Sequence, residues 1–197
     1  MSKLRRVVAN RAPTTLRRPT AADMTAAKGR TIPDLLAPDL SILFCGINPG
    51  LYSAAVGHHF ARPGNRFWPT LYHAGITDRV LAAADSAALL QFKCGITDIV
   101  ARSTTGAAEL TRDELVAGCR ILVAKVERYA PRYLAVLGVS AYRTAFQQPG
   151  ATLGKQAERI GSTVIWVLPN PSGLNAHYPP AKLIAEFKRL RDDRLKS

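Results

Sequence analysis

Residues with chemical potential gather in four short stretches. Gly46-Ile-Asn-Pro-Gly50 follows an apolar run and places one asparagine, Asn48, in a turn-forming loop. On its own, Asn-Pro-Gly is a type II turn in which Asn48 merely begins the bend. At the mouth of a cleft the same amide has a second use, because it can orient a water molecule, though it lacks the proton affinity to deprotonate one near neutral pH. Gly95-Ile-Thr-Asp-Ile-Val100 carries Asp98, which either closes a turn through its side chain or stands as a carboxylate in a cleft. His59-Phe-Ala-Arg-Pro-Gly-Asn-Arg-Phe-Trp68 brings aromatic rings and arginines together within ten residues, a mixture suited to stacked bases and phosphates. Phe67 and Trp68 read as core, Asn65 as a helix N-cap, and Phe60, in the loop before that helix, as a site residue. The fourth stretch is Pro169-Asn-Pro-Ser-Gly-Leu174.

Something must hold these stretches together. Ser41 to Gly46, Tyr133 to Gly138 and Thr163 to Leu168 are β-rich runs bounded by Gly or Pro, the pattern of buried parallel strands. Thr111-Arg-Asp-Glu114 is a capping box ahead of an amphipathic run to about Tyr129, and Ser140 can cap a second run to about Gln147. A third helix follows Pro179 and Pro180, with Leu183, Ile184, Phe187, Leu190 and Leu195 on its inner face, and the Ala-rich 81–88 reads as another. Strands alternating with helices predict a three-layer α/β/α sandwich with a mainly parallel central sheet. In such sheets sites form at the carboxyl ends of strands, so the loops after the first and last core strands open on the same face.

Composition narrows the chemistry further. A chain of 197 residues with 47% hydrophobic content is one folded domain, and a net charge of +13 favours a polyanionic partner. Residues 1–30 hold eight basic side chains against the single acid Asp23, a charge of +7, and read as a basic, disordered tail ahead of a domain over 31–197. An Arg-rich, acid-poor beginning also fits an organellar transit peptide, although Ser is scarce. No apolar run approaches the roughly 18 residues that span a bilayer, and no secretory signal pattern is present, so a soluble protein is expected. Cys45, Cys94 and Cys119 are odd in number and far apart, which predicts reduced, mostly buried thiols. With no H-E-x-x-H among His58, His59, His73 and His177, no metal or other cofactor is expected, and His58 and His59 read as loop residues. Dinucleotide and P-loop fingerprints and a Ser nucleophile elbow are absent as well.

Taken in order, Gly46-Ile-Asn-Pro-Gly50, Asn65-Arg-Phe-Trp68, Gly95-Ile-Thr-Asp-Ile-Val100 and Leu168-Pro-Asn-Pro-Ser-Gly-Leu174 resemble the motifs of the mismatch-specific uracil and thymine DNA glycosylases, within the uracil-DNA glycosylase superfamily. The resemblance covers about residues 35 to 195 and leaves the basic tail outside it. It implies hydrolysis of the N-glycosidic bond of uracil, or of thymine or a damaged pyrimidine, mispaired with guanine in double-stranded DNA, leaving an abasic site. Such an enzyme must extrude the nucleotide from the stack, at a cost of roughly a few kcal/mol that mispairing lowers. Asn48 then holds the attacking water, Asp98 is a second catalytic candidate, and Ile47, Tyr52, Ser53 and Phe60 form the base pocket. Phe60 stacks on the base, and Tyr52 and Ser53 line the edge that separates uracil from thymine.

Asn170, Ser172, Gly173, Leu174, Asn175 and His177 form the strand-separating wedge and its phosphate contacts, with Leu174 filling the gap left by the extruded nucleotide. The chain departs from the family twice. Asp98 stands where one branch has no acid, and Asn175-Ala-His-Tyr178 lacks the arginine that follows the leucine in the best-known bacterial pattern. A bacterial cytoplasmic protein associated with the nucleoid is expected, and a monomer, because one domain can straddle a lesion unaided. Two rivals share the fold: a protein that recognises mismatches without cutting, and a hydrolase of small nucleoside or phosphorylated substrates.

Overall fold

The computed structural model describes residues 16–196. Chain order runs through α1 (Ala21–Ala26), β1 (Ile42–Gly46), α2 (Leu51–Val56), α3 (Phe67–His73), β2 (Cys94–Asp98), α4 (Arg112–Tyr129), β3 (Tyr133–Leu137), α5 (Val139–Ala145), β4 (Gly154–Ile160), β5 (Thr163–Leu168) and α6 (Pro180–Lys196). The five strands form one sheet in the order β2-β1-β3-β5-β4, parallel except for β4, which pairs antiparallel with β5. This is the α/β/α sandwich with a mainly parallel sheet.

Alternation along the strands divides the core into two layers. Ile42, Phe44, Ile96, Tyr133, Ala135 and Trp166 pack with Phe67 and Leu71 of α3 and with Leu183, Phe187 and Leu190 of α6. Leu43, Cys45, Leu134, Val136, Ile165 and Val167 face the other way, onto Leu122 and Val126 of α4 and Ala141, Tyr142 and Ala145 of α5. The central strands are buried throughout, as sheets covered on both faces must be.

Local signals explain most boundaries. Thr111 accepts from the Glu114 N–H while the Glu114 carboxylate accepts from the Thr111 N–H, so the capping box forms as spelled. Helix α5 departs from its expected start: Gly138, at φ 138°, caps it without a side-chain bond, because the turn out of β3 needs a backbone only glycine adopts freely. Asn65 bonds the Phe67 N–H from one residue before the N-cap of α3, which is Arg66. Residues 83–92 are 3-10 rather than α-helix, interrupted at Asp85. Leu195 of α6 is exposed, because the helix outruns the sheet that its buried residues cover. All three cysteines are buried and free.

Residues 1–15 of the basic segment lie outside the described residues. Residues 16–30 carry α1, capped by Thr20 with Asp23 completing a capping box. Ala27 is fully buried, its carbonyl accepts from the Ser103 hydroxyl, and the Gly29 N–H donates to the Ser103 carbonyl. The Ser103 N–H also donates to the Arg30 carbonyl, so three hydrogen bonds and a buried alanine fasten this stretch to the domain. Among the described residues, no helix is long and apolar enough to cross a membrane and no cluster of three metal-binding side chains occurs.

Candidate active site

Strands β1 and β2 lie side by side with Gly46 opposite Asp98, so the Asn48 loop and Asp98 leave the sheet at the same end, the carboxyl end of the parallel strands. The loop after β5 joins them there. Together they surround a cavity of about 220 Å³ lined by Gly46, Ile47, Asn48, Ser53, His59 and Phe60, with Asp98, Asn170, Ser172 and Leu174 completing it. Typical sites for drug-sized ligands span roughly 300–1,000 Å³, so this one suits a single planar ring.

The Asn48 amide is fixed in one orientation. Its nitrogen donates to the carbonyls of Pro49 (3.2 Å) and Arg102 (3.1 Å) and to Thr104 Oγ1 (2.7 Å). Carbonyls only accept, and the Thr104 hydroxyl spends its own proton on the Gly106 carbonyl, so all three partners require the NH₂. No protein donor among the described residues reaches the amide oxygen, and the residue lines the cavity. Asn48 therefore offers the site an acceptor. The receiving loop is itself anchored: Arg102 pairs with both oxygens of Glu114, and that hydrogen bond is the main influence holding the Glu114 carboxyl down to about 2.

Asp98 ends β2 almost fully buried, with Oδ2 3.3 Å from His59 Nδ1. His59 Nε2 lies 3.1 Å from the Pro33 carbonyl, which can only accept, so that nitrogen carries a proton. A second proton must then lie between Nδ1 and Asp98, since two lone pairs facing each other at that distance repel. Burial, the largest single influence, pushes the His59 pKa down. The Asp98 hydrogen bond and charge, with the Pro33 carbonyl and the Asp34 charge, outweigh it, and the net shift is upward. Asp34 in turn pairs with Lys125 at 2.6 Å and accepts from Thr97. On β1, Gly46 leaves the space Asp98 needs, for a Cβ there would overlap Oδ1.

Phe60 lines the cavity with one ring face stacked on Phe67, centroids 4.0 Å apart. Its φ of 54° is left-handed, a conformation that costs a non-glycine residue roughly 1 kcal/mol and turns the ring inward from the loop. Ser53 is buried and lines the cavity, but its hydroxyl accepts from the Ala61 N–H and so holds the loop in place. Tyr52 is placed apart, in a neighbouring groove with Arg18, Met24 and Arg62. Successive residues on α2 point about 100° apart, and Ser53 takes the inward position.

The loop from 169 to 178 projects Leu174 at the cavity rim, 76% exposed. It is held from below by Arg66, whose guanidinium donates to the carbonyls of Pro171, Ser172, Asn175 and Tyr178. Asn170 accepts from the Ser172 N–H, Ser172 from the Leu174 N–H, and the Asn175 amide donates to the Asn170 carbonyl. Gly173 abuts Gly64, where a Cβ would overlap the Gly64 carbonyl. His177 is exposed on the far limb of the loop. Arg66→Ala removes four charge-assisted bonds and is expected to lower the melting temperature by several degrees, read by calorimetry, with protease cleavage appearing first between 171 and 178.

His59, Thr104 and Arg66 hold the candidate site residues in place, and sequence reasoning gave none of them that role. Each acts on a residue distant in sequence, and only the need of a buried Asp98 for a partner pointed toward any of them.

Comparison with known proteins agrees with this fold. The chain superposes, with a TM-score of 0.53 and 20% identity, on the solution NMR structure of a candidate uracil DNA glycosylase from Methanosarcina acetivorans, over 83% of this chain and 98% of that one. Residues 33–193 match the model of the uracil DNA glycosylase superfamily. The family model spans most of the chain, including every strand of the sheet that carries the cavity: the chain belongs to the uracil DNA glycosylase superfamily.

Proposed function

We propose that this chain removes uracil mispaired with guanine from double-stranded DNA, hydrolysing the bond between N1 of the base and C1′ of the sugar. The observation that carries the proposal is the Asn48 amide, held by its nitrogen with its oxygen unclaimed, in the lining of a cavity sized for one ring. A base inside the duplex is out of reach, so the nucleotide swings out and stacks on Phe60 while Leu174 fills the vacated space.

As the C1′–N1 bond lengthens, positive charge builds on the sugar and negative charge on the departing pyrimidine. Asn48 orients the water whose oxygen bonds to C1′, and the water's proton passes to Asp98 or to solvent, since an amide cannot take it. The Asp98 carboxylate also offsets the sugar's developing charge. Arg66 holds the wedge loop rigid, so insertion of Leu174 does not carry the cost of ordering that loop. Mispairing supplies part of the selectivity by making extrusion easier. The edge that discriminates against the thymine methyl falls to Ser53 and the apolar wall rather than to Tyr52, and a methyl clash-free pocket separates the two bases by only about 1–3 kcal/mol.

Single-turnover assays on end-labelled duplexes carrying U·G, T·G, U·A or C·G, in EDTA and with alkali to break abasic sites, test the proposal. Cleavage at U·G above T·G, with C·G untouched, is the expected result. Salt-sensitive binding to U·G with no cleavage of any duplex overturns it in favour of a mismatch-recognising protein that does not cut.

A further inference from the structure

The superfamily match begins at residue 33, yet the structure continues the fold upstream of it. Residues 16–32 run against the domain, held by the buried Ala27, by the exchange between Ala27, Gly29 and Ser103, and by packing of α1 on α2. What this stretch adds is one wall of a groove of about 410 Å³, made by Arg18, Pro19, Ala21 and Met24, facing Tyr52 of α2 and the loop residues Arg62 and Pro63.

Two features give the groove a partner. Its cations are uncommitted: Arg18 and Arg62 are both exposed, and neither makes a side-chain hydrogen bond or ion pair among the described residues. The neighbouring arginines are engaged, Arg17 with Asp23 and Arg66 with the wedge loop. Arg62 moreover lines both this groove and the cavity that holds Asn48 and Asp98, so the two adjoin at that side chain.

Resting on the function proposed above, we infer that this groove is a DNA-backbone channel in which phosphates flanking the extruded nucleotide pair with Arg18 and Arg62. Tyr52, half buried on the floor, gives the adjoining sugar or base an aromatic surface. The upstream segment is thereby part of the DNA-binding face, and Arg18 is a binding residue contributed from outside the superfamily domain.

Binding of full-length wild type, Arg18→Ala and Arg120→Ala to a U·G duplex, titrated from low to high salt, tests the inference. Arg120 is exposed on α4 and lines neither cavity, so its variant reports the loss of one charge alone. Each phosphate neutralised contributes about 0.9 to the slope of log affinity against log salt. Arg18→Ala should lower that slope by nearly one and weaken binding about fivefold at moderate salt, with a much smaller effect from Arg120→Ala. Trimming the duplex from one end should abolish the difference between wild type and Arg18→Ala once the contacted phosphates are gone. Equal slopes for wild type and Arg18→Ala, or equal losses in the two variants, overturn the channel. Wild type that binds U·G tightly without cleaving it counts against the glycosylase reading and leaves the channel standing.

Discussion

Asn48→Ala should slow uracil release from a U·G duplex by about 10²- to 10³-fold under single-turnover conditions, the range seen when one preorganised polar group is removed from a reacting centre. The loss belongs in the chemical step: Asn48 presents an oxygen to a water, and water is common to every substrate, so U·G and any slower substrate should fall by similar factors. The same substitution strips two hydrogen bonds from the loop of Arg102 and Thr104 and a third from the Pro49 carbonyl. A stability loss of about 1–3 kcal/mol is therefore expected beside the kinetic one. Asn48→Asp separates the two effects. It keeps an oxygen toward the cavity but turns a second one onto the Pro49 and Arg102 carbonyls, so the loop should be disturbed as much as in Asn48→Ala. Rates within threefold of wild type in a folded Asn48→Ala protein would return Asn48 to the role of a turn residue.

The second large effect concerns His59. Replacing it with leucine leaves the Asp98 carboxylate buried without its partner, and breaking a buried pair in this way typically costs about 3–5 kcal/mol. The pH dependence has a definite sign. Because the folded His59 pKa lies above the ordinary 6.5, its protonation contributes stability that is complete below that value and is lost as pH rises through the raised one. The melting-temperature gap between wild type and His59→Leu should thus be widest near pH 6 and shrink toward pH 9. Asp98→Asn is the informative companion. Its amide can donate to a neutral Nδ1, so stability should be largely kept while the pH slope flattens. A gap that does not change with pH would place no proton between the two residues. The rate of Asp98→Asn decides the further question of catalysis, since unchanged turnover and an unchanged pH profile remove Asp98 from the mechanism.

How much of this was readable beforehand depended on whether a feature was local. The three inner strands β1, β3 and β5 showed as apolar runs, and Thr111 with Glu114 spelled the start of α4. Strand β2 was hidden because Cys-Gly-Ile-Thr-Asp mixes a glycine with two polar residues whose burial depends on Asp34 and His59. Strand β4 is an edge strand whose Lys, Gln, Glu and Arg face solvent, and nothing in them announces pairing with β5. In the site, Asn48, Phe60 and the Leu174 loop stood out by residue type beside turn formers. Tyr52 and Ser53 are neighbours in sequence, and only the rotation of α2 decides which one meets the cavity. Arg66 stood in a stretch whose mixture of arginines and aromatics suits bases and phosphates, and no role of its own could be read from that. Its engagement with four carbonyls more than a hundred residues away is a fact of tertiary structure.

The bare backbone of Gly46 beneath Asp98 also constrains how this site can change by descent. A side chain at 46 overlaps the carboxylate that His59 holds, so a larger residue there requires Asp98 to give up its place against the imidazole. A lineage that enlarges position 46 while keeping the acid loses the buried pair of Asp98 with His59, so giving up the acid first is the less costly route. Within relatives that share these loops, the two positions should therefore vary in a fixed order, and chains caught with both should be unstable.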